Sequence, residues 1–362
     1  YTPEYFKAFA PTANELEILS VNDEGTFDVR YMADIGDEDL LLGSRQPVVP
    51  KTLTTNTDAL ARLKNQALED QHMGRSIVNT HAPGIDRVHE TRVEIDPDQF
   101  NDDLSYLETH KNITDVVLAG RSDAIDSFAR ISSIIGSLRS IPHINAVRLR
   151  SFKFNHEPSR YTLGAIDLLG SMNHLTVANP LRLEIETQFF HETEILPEHA
   201  ILAEKLRNKG ITVYCNTPLL ADINDSPDSI NRLAYRLRTA GIEFHHLYLA
   251  GLPIQERHVR TAGPINVAHV IDIAGQVRKD GSGREIPRYI IGTSLGEVDF
   301  GLTSKLINNS GVIHVRLTPY NLDYYRQMDA GFSWPMDCNI GKDGIPQVPV
   351  PGLMDDGGFM VF

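Results

Sequence analysis

The sequence has 362 residues, a formal net charge of −14, 41% hydrophobic residues and 23% charged residues. This length suits one large α/β barrel or two ordinary domains, and the acidic balance argues against nucleic acid and anionic membranes as main partners. No apolar run approaches the ~20 residues of a membrane span, and Cys215 and Cys338 are too few for a disulfide framework. We therefore expect a cytoplasmic protein whose partner is a small molecule, and a homo-oligomer stays open.

Three segments follow one another along the chain. Residues 1–74 have weak periodicity and are predicted to form an N-terminal extension, partly helical around residues 57–68. Residues 75–306 alternate between strand and helix patterns and are predicted to form the main domain. Residues 307–362 are predicted to form a C-terminal tail, with a hairpin from Val312 and then coil rich in proline and glycine. Within the main domain, strands are predicted at 75–80, 115–119, 145–149, 181–187, 211–220, 243–249 and 288–293, and helices at 98–109, 127–140, 161–172, 197–209, 227–240 and 266–277.

The alternation predicts a barrel. Residues 205–249 give helix, strand, loop, helix and strand in order, with Gly210 and Gly241 at the helix ends. Such a βαβ unit implies a parallel sheet, and the apolar run DVVLA at 115–119 is typical of a buried parallel strand. No glycine-rich dinucleotide turn follows the first strand, which argues against a flat doubly wound sheet. The fold class is therefore α/β, a partial (β/α)6-type TIM barrel with N- and C-terminal extensions.

The loops after the predicted strands carry the chemistry, as is usual in barrels. Polar and charged residues follow most of these strands, whereas the opposite rim of the barrel is less polar. Arginines, carboxylates and histidines around one mouth suit a small zwitterionic or anionic ligand.

Four stretches at these loops resemble the lysine 2,3-aminomutase family of radical SAM enzymes, over roughly residues 96–306. The resemblance lies in SIPHINAVRL at 140–149, LLADINDSP at 219–227, RHVRT at 257–261 and LAGRSDA at 118–124. LLADINDSP is similar to the family's "L-x-G-[IV]-N-D-S" loop, RHVRT to its "H-F-R-T" segment, and LAGRSDA to an altered "TGGD". The resemblance implies a partial barrel of the radical SAM type, S-adenosylmethionine bound to a [4Fe-4S] cluster, and often pyridoxal phosphate.

The same resemblance implies which residues line the site. Those expected to bind cofactor are Gly120, Asp123, Arg148, Glu186 and Gln188. Those expected to bind an amino-acid-like substrate are Asp225, His258 and Arg260. An acid and a base held apart in one dry pocket, here Asp225 and Arg260, suit a ligand with an ammonium and a carboxylate.

Three features of the sequence depart from the family pattern. The family's three cluster cysteines, CxxxCxxC, should follow the first strand ahead of Asp96, but residues 75–90 contain no cysteine. Either the cluster loop is missing from this sequence, or the protein is a relative that has lost the cluster. The pyridoxal lysine aligns near Asp299, and the nearest lysine is Lys305, which argues against pyridoxal phosphate. The second carboxylate for the distal amine of lysine aligns near Gly251, which argues against free lysine as the substrate.

Several residues also have a structural interpretation. Asp123 and Asp225 can cap helices, and His258 and Arg260 can pair with Glu256 on the surface. Two functions therefore stay open. The first is a radical SAM enzyme, an aminomutase-like isomerase acting on an amino-acid-like substrate. The second is a cluster-free relative that binds S-adenosylmethionine or an amino acid without radical chemistry.

Overall fold

The computed structural model describes residues 53–355, apart from residues 70, 72, 74, 174–179, 302–303, 310 and 319. The predicted extension before Leu53 lies outside these residues. From Ala59 onward the chain forms one compact unit. Among the helices that the structure describes, none combines the length and the apolar composition that a membrane crossing requires.

Strands and helices alternate through most of the described chain. The strands are β1 (Ile85–His89), β2 (Arg92–Ile95), β3 (Asp115–Leu118), β4 (Ala146–Arg150), β5 (Arg182–Thr187), β6 (Thr212–Pro218), β7 (Glu243–Ala250), β8 (Ile265–Asn266), β9 (Arg288–Thr293), β10 (Gly296–Asp299), β11 (Ser304–Asn309), β12 (Val312–Leu317), β13 (Asn339–Ile340), β14 (Pro346–Pro349) and β15 (Leu353–Met354). The helices are α1 (Leu53–Glu69), α2 (Ser105–Thr109), α3 (Phe128–Leu138), α4 (Lys153–His156), α5 (Leu163–Met172), α6 (Pro197–Arg207), α7 (Pro227–Thr239), α8 (Pro253–Ala262), α9 (Val267–Asp280) and α10 (Leu322–Met328).

The main sheet has nine strands in the order β1-β2-β3-β4-β5-β6-β7-β9-β10. The seven strands from β2 to β9 in this order are parallel to their neighbours, while β1 and β10 pair antiparallel at the two edges. The two edge strands come close to each other without pairing. The sheet is thus nearly closed, with a seam between β1 and β10, and the predicted partial TIM barrel is confirmed.

Apolar side chains on the outer face of the sheet explain why the helices pack there. Val116 of β3 and Val147 of β4 are fully buried. On α3, four buried apolar residues recur at helical spacing, namely Ile131, Ile134, Ile135 and Leu138. Burial of such a side chain contributes roughly 1.5–3 kcal/mol. The amphipathic pattern that predicted these helices is therefore the pattern that holds them against the sheet.

Two predicted elements near the start of the barrel were wrong. Residues 75–80 contain no strand, only an isolated bridge between Val78 and Arg87. The chain instead turns at Gly84, where φ is +72°, and then forms the β1–β2 hairpin. Of the helix predicted at 98–109, only α2 forms, because Asp102 adopts a φ of +66°, which a helix does not allow.

The C-terminal region forms a second, smaller sheet with the strand order β11-β12-β14-β13. The hairpin predicted from Val312 begins earlier, at Ser304, and consists of β11 and β12. The expected coil after it contains α10, β13 and β14 as well. The short strand β15 then pairs with β8, next to the start of α9.

Candidate functional site

The inner face of the barrel carries charged side chains. Side chains two residues apart on a strand share a face, so Arg148 and Arg150 of β4 face the same interior as Glu184 and Glu186 of β5. Arg150 Nε lies 2.6 Å from Glu186 Oε1, and Arg148 Nη2 lies 3.1 Å from Glu184 Oε2. Arg150 Nη2 also lies 2.6 Å from Oε1 of Glu94 on β2. Guanidiniums and carboxylates therefore bind one another across three strands.

The same arrangement is found at the seam. Arg92 Nη2 lies 2.7 Å from Glu297 Oε2, and the Tyr248 hydroxyl donates to Glu297 Oε1 at 2.6 Å. Burial alone would raise the pKa of Glu297, but Arg92 lowers it to about 2. In the same way, burial opposes ionisation of Glu186, yet Arg150 and its neighbours lower the pKa of Glu186 to about 2. Glu186 and Glu297 are therefore ionised at neutral pH.

An apolar cluster closes the end of the barrel where the loops after the strands meet. We call it the apolar cap, and it consists of Leu63, Ala67, Met73, Phe152, Phe190, Leu220, Ile223, Tyr248, Leu252, Ile254 and Ile290. Three of its members, Leu63, Ala67 and Met73, come from the segment that precedes β1. This segment therefore covers the mouth that barrel enzymes use for ligands.

Gln71 fastens the same segment to the mouth. Its side chain donates from Nε2 to Asp123 Oδ2 at 2.8 Å, and its Oε1 accepts from the amide of Phe152 at 3.3 Å. Its carbonyl accepts from Arg150 Nη1 at 3.1 Å. Gln71 thus connects the loop of Asp123 with the interior ion pairs.

The residues expected to bind cofactor fall around this network. Arg148 and Glu186 belong to it directly. Asp123 is buried, and burial raises the pKa of its carboxyl group. Its Oδ1 accepts from the Ile125 amide at 3.0 Å, so it caps the short turn of 3-10 helix at Ala124–Asp126, in line with the structural interpretation.

Gly120 and Gln188 have different surroundings. A Cβ on Gly120 would lie 2.6 Å from Asp96 Oδ1, so no side chain fits at this position without a shift. Gln188 is buried just beyond the end of β5, and its carbonyl accepts from Asn155 Nδ2 at 2.9 Å. Gln188 continues the inward alternation of Glu186.

The residues expected to bind substrate lie at the loops after β6 and β7. His258 donates from Nε2 to the carbonyl of Ala221 at 2.8 Å, which brings it to the loop of Asp225. Arg260 is exposed on the last turn of α8. Ser226 accepts from a backbone amide of α7, so Ser226 is the helix cap. Within the described residues, no ion pair or hydrogen bond joins the side chains of Asp225 and Arg260.

Two features of this region differ from the sequence-based expectation. Residues 257–261 were expected at a loop, but they lie in α8, because Pro253 starts a helix at its first position. Glu256 pairs with Arg75. The sequence reasoning also missed Gln71, Glu94 and Arg150 as interior residues. Charges at alternate positions of otherwise apolar strands, as in Arg148 and Arg150, could have indicated a polar inner face.

Comparison with curated proteins found the same relatives repeatedly. The chain is 27% identical over 194 residues to L-lysine 2,3-aminomutase of Fusobacterium nucleatum, an alignment that covers 54% of this chain and 43% of that protein. It is 24% identical over 273 residues to L-lysine 2,3-aminomutase of Acetoanaerobium sticklandii, covering 74% and 62%. It is also 24% identical over 220 residues to glutamate 2,3-aminomutase of Clostridioides difficile, covering 60% and 49%. The chain is thus similar to lysine 2,3-aminomutases and related aminomutases. No protein-family model matches it.

This aminomutase-like chain spans about half the length of the curated relatives it matches. The names of those relatives include two amino acids, lysine and glutamate, so the family likeness by itself does not specify a substrate.

The described residues do not fit the three-cysteine cluster that the resemblance implies. The loop after β2, the first parallel strand, closes on Asp96, which accepts from the Asp98 amide at 3.0 Å and from Gln99 Nε2 at 2.7 Å. Cys215 lies buried on β6, where burial raises its pKa to about 12, and Cys338 lies in the C-terminal region. In the part of the chain that the structure describes, no group of three or more His, Cys, Asp or Glu is placed to hold a metal ion.

Two further positions, Gly251 and Lys305, also depart from the family pattern. Gly251 has a φ of +101°, and a Cβ there would lie 2.0 Å from the carbonyl oxygen of Gly292. A carboxylate side chain therefore cannot stand at Gly251 unless the backbone moves. Lys305 is exposed on β11 of the second sheet, away from the interior of the barrel.

Proposed function

We propose that this aminomutase-like chain binds an amino-acid-like small molecule in its barrel without a three-cysteine iron–sulfur cluster. The observation that carries the proposal is the loop after β2. Asp96 holds this loop in a tight turn through Asp98 and Gln99, and packs against Gly120. This turn contains no cysteine and is closed by its own hydrogen bonds, which supports a cluster-free site for the residues present.

The ligand class follows from the charges and from the relatives. The interior carries three arginines and four glutamates in ion pairs, namely Arg92, Arg148 and Arg150 with Glu94, Glu184, Glu186 and Glu297. Both signs within one barrel suit a zwitterion, and the relatives are named for amino acids. The assignment of Asp225, His258 and Arg260 to substrate stays a prediction, as does S-adenosylmethionine as a ligand.

The alternative is a radical SAM enzyme acting on an amino-acid-like substrate, with cluster ligands supplied from outside this sequence. The family resemblance favours it, because such an enzyme would use S-adenosylmethionine at a [4Fe-4S] cluster. The two proposals differ in whether the purified protein holds iron and sulfide.

One experiment separates them. The full-length protein is reconstituted anaerobically, assayed for iron and sulfide, and titrated calorimetrically with L-lysine, L-glutamate, L-arginine and S-adenosylmethionine. We expect no stoichiometric iron and a calorimetric response to at least one amino acid. Because a charge-assisted hydrogen bond contributes roughly 1.5–3 kcal/mol, Asp225→Asn and Arg260→Ala should each weaken that response about ten- to a hundredfold. Stoichiometric iron and sulfide with a visible cluster absorbance would overturn the cluster-free proposal.

A further inference from the structure

Three polar side chains form a row across the inner face of the barrel. Asn216 of β6 is the register partner of His246 on β7. Gln188 follows Thr187, whose partner is Cys215, so Gln188 lies beside Asn216. The three side chains belong to residues that are 1–4% exposed. We call Gln188, Asn216 and His246 the polar row.

The polar row is unsatisfied. Within the part of the chain that the structure describes, Gln188 Oε1, Asn216 Oδ1 and both ring nitrogens of His246 are buried without a hydrogen-bond partner. A buried polar atom without a partner destabilises the folded state, and native proteins usually give buried polar groups a partner. Three neighbouring side chains with this defect, all on one inner face, point to a bound group that supplies donors.

The charge of the surroundings favours a cation. Arg92, Arg148 and Arg150 face the interior with Glu94, Glu184, Glu186 and Glu297, so the interior network has one carboxylate more than guanidiniums. His246 does not restore the balance, because burial first, and then the neighbouring His245, lower its pKa to about 3 and keep it neutral. An unbalanced negative charge in a low-dielectric interior attracts a cation more strongly than it would in water.

We propose that the polar row binds a primary ammonium group, either of a free amine or of an amino acid. The inference rests on the proposed function and assigns the ammonium group of the ligand to a position inside the barrel. Two amide oxygens and one ring nitrogen of neutral His246 provide three acceptors, and a primary ammonium has three N–H donors. The ammonium would also balance the interior charge. This position differs from Asp225, which the sequence suggested for the same group.

Matched ligands test the chemistry by calorimetric titration of the full chain at constant ionic strength. L-norleucine and hexanoate differ only in the α-ammonium group, and butylammonium carries the ammonium alone. Tetramethylammonium is a cation without N–H donors. We expect norleucine or butylammonium to bind, and hexanoate and tetramethylammonium to bind at least tenfold more weakly. Equal binding of tetramethylammonium and butylammonium would mean that charge alone is recognised and would overturn the proposal.

Matched variants test the position. Gln188→Met and Asn216→Leu replace unsatisfied polar groups by apolar ones of similar size, so both should fold and melt at or above the temperature of the unaltered chain. We expect each to weaken ammonium binding at least tenfold. Gln276→Met on the outer helix α9 is the control and should change nothing.

The outcomes distinguish the two proposals. If norleucine binds Gln188→Met and Asn216→Leu normally but fails to bind Asp225→Asn, the polar row is not the site, and the proposed function survives. If butylammonium binds at the row while every amino acid fails, the ammonium site survives, and the proposed function does not. If neither amines nor amino acids bind, the row is satisfied by water only and both proposals fail.

Discussion

Arg150 shows how one side chain can hold a barrel interior together. It contacts Glu94 on β2, Glu186 on β5 and the carbonyl of Gln71 in the segment before β1. These contacts offset the cost of burying the Arg150 guanidinium, because two carboxylates and one carbonyl oxygen accept its N–H groups. A buried charge is costly when a partner is removed, even where the complete pair adds little.

Removing Arg150 should therefore destabilise the protein strongly. Arg150→Met leaves Glu94 and Glu186 buried with fewer partners, and we expect a loss of about 3–5 kcal/mol in the free energy of unfolding. The matched control is Arg288→Met, because Arg288 is mostly exposed and pairs with Asp299 at the rim. An exposed pair contributes about 0–1 kcal/mol. Urea unfolding of the two variants measures the difference, and equal losses would contradict a buried network.

At the scale of elements, α1 and the residues after it close the barrel. Leu63 and Ala67 place the apolar face of α1 in the apolar cap, and Lys64 Nζ lies 3.1 Å from Glu194 Oε1. Gln71 then fixes the chain to Asp123. A ligand that reaches the polar row from this side must displace the segment or arrive before it packs. The apolar cap therefore affects access of a ligand to the barrel interior as well as the stability of the fold.

A charge on the packed face of α1 should loosen the cap. We expect Leu63→Asp to accelerate hydrogen exchange of the amides in residues 59–73, because burying an unpaired carboxylate in the apolar cap is costly. Asn65→Asp introduces the same charge on the exposed face and should leave the exchange unchanged. Mass-spectrometric exchange with peptide resolution makes the comparison. Rapid exchange of residues 59–73 in the unaltered chain would show that the segment does not seal the mouth.

At the scale of the whole molecule, the interior is polar and the outer face of the sheet is apolar. Four histidines have pKa values lowered to between about 3 and 4, chiefly by burial, namely His156, His199, His245 and His246. His199 and His246 are buried, and His156 and His245 are half-buried. Unfolded histidine has a pKa of about 6.5. Below that value the unfolded chain binds protons that the folded chain does not, so stability falls as the pH falls.

The pH dependence of unfolding should show this early loss. Stability should be complete above about pH 6.5 and should fall between pH 6 and 4.5, by up to about 1.4 kcal/mol per pH unit for each of the four histidines. The carboxylates with lowered pKa values, such as Glu186, add to this loss of stability only once the pH falls below their unfolded pKa of about 4.3. His156→Leu should remove one histidine's share of the slope, and exposed His81→Asn should not. A flat profile between pH 6 and 4.5, from urea unfolding, would contradict the burial of these rings.

The sequence by itself determined most of the barrel's elements. The apolar run at Val116–Leu118, the amphipathic pattern of α3 and the glycine at 241 each act through near neighbours, so they can be read locally. The motif order further indicated the aminomutase-like family. The elements at the start of the barrel were harder to predict from the sequence, because the turn at Gly84 and the positive φ at Asp102 override the local strand and helix patterns.

Only the tertiary structure decided which groups meet. Arg150 and Glu94 are 56 residues apart, and Arg150 and Gln71 are 79 apart. Their contacts depend on the strand order and on the register, because a shift of one residue would move the side chains to the opposite face of the sheet. The pairing of Asn216 with His246 further depends on an irregularity in the β6–β7 register. The local pattern determines which face of its own strand a side chain occupies. Strand order and register determine which side chain of another strand it contacts on that face, because order and register follow from the packing of the whole sheet.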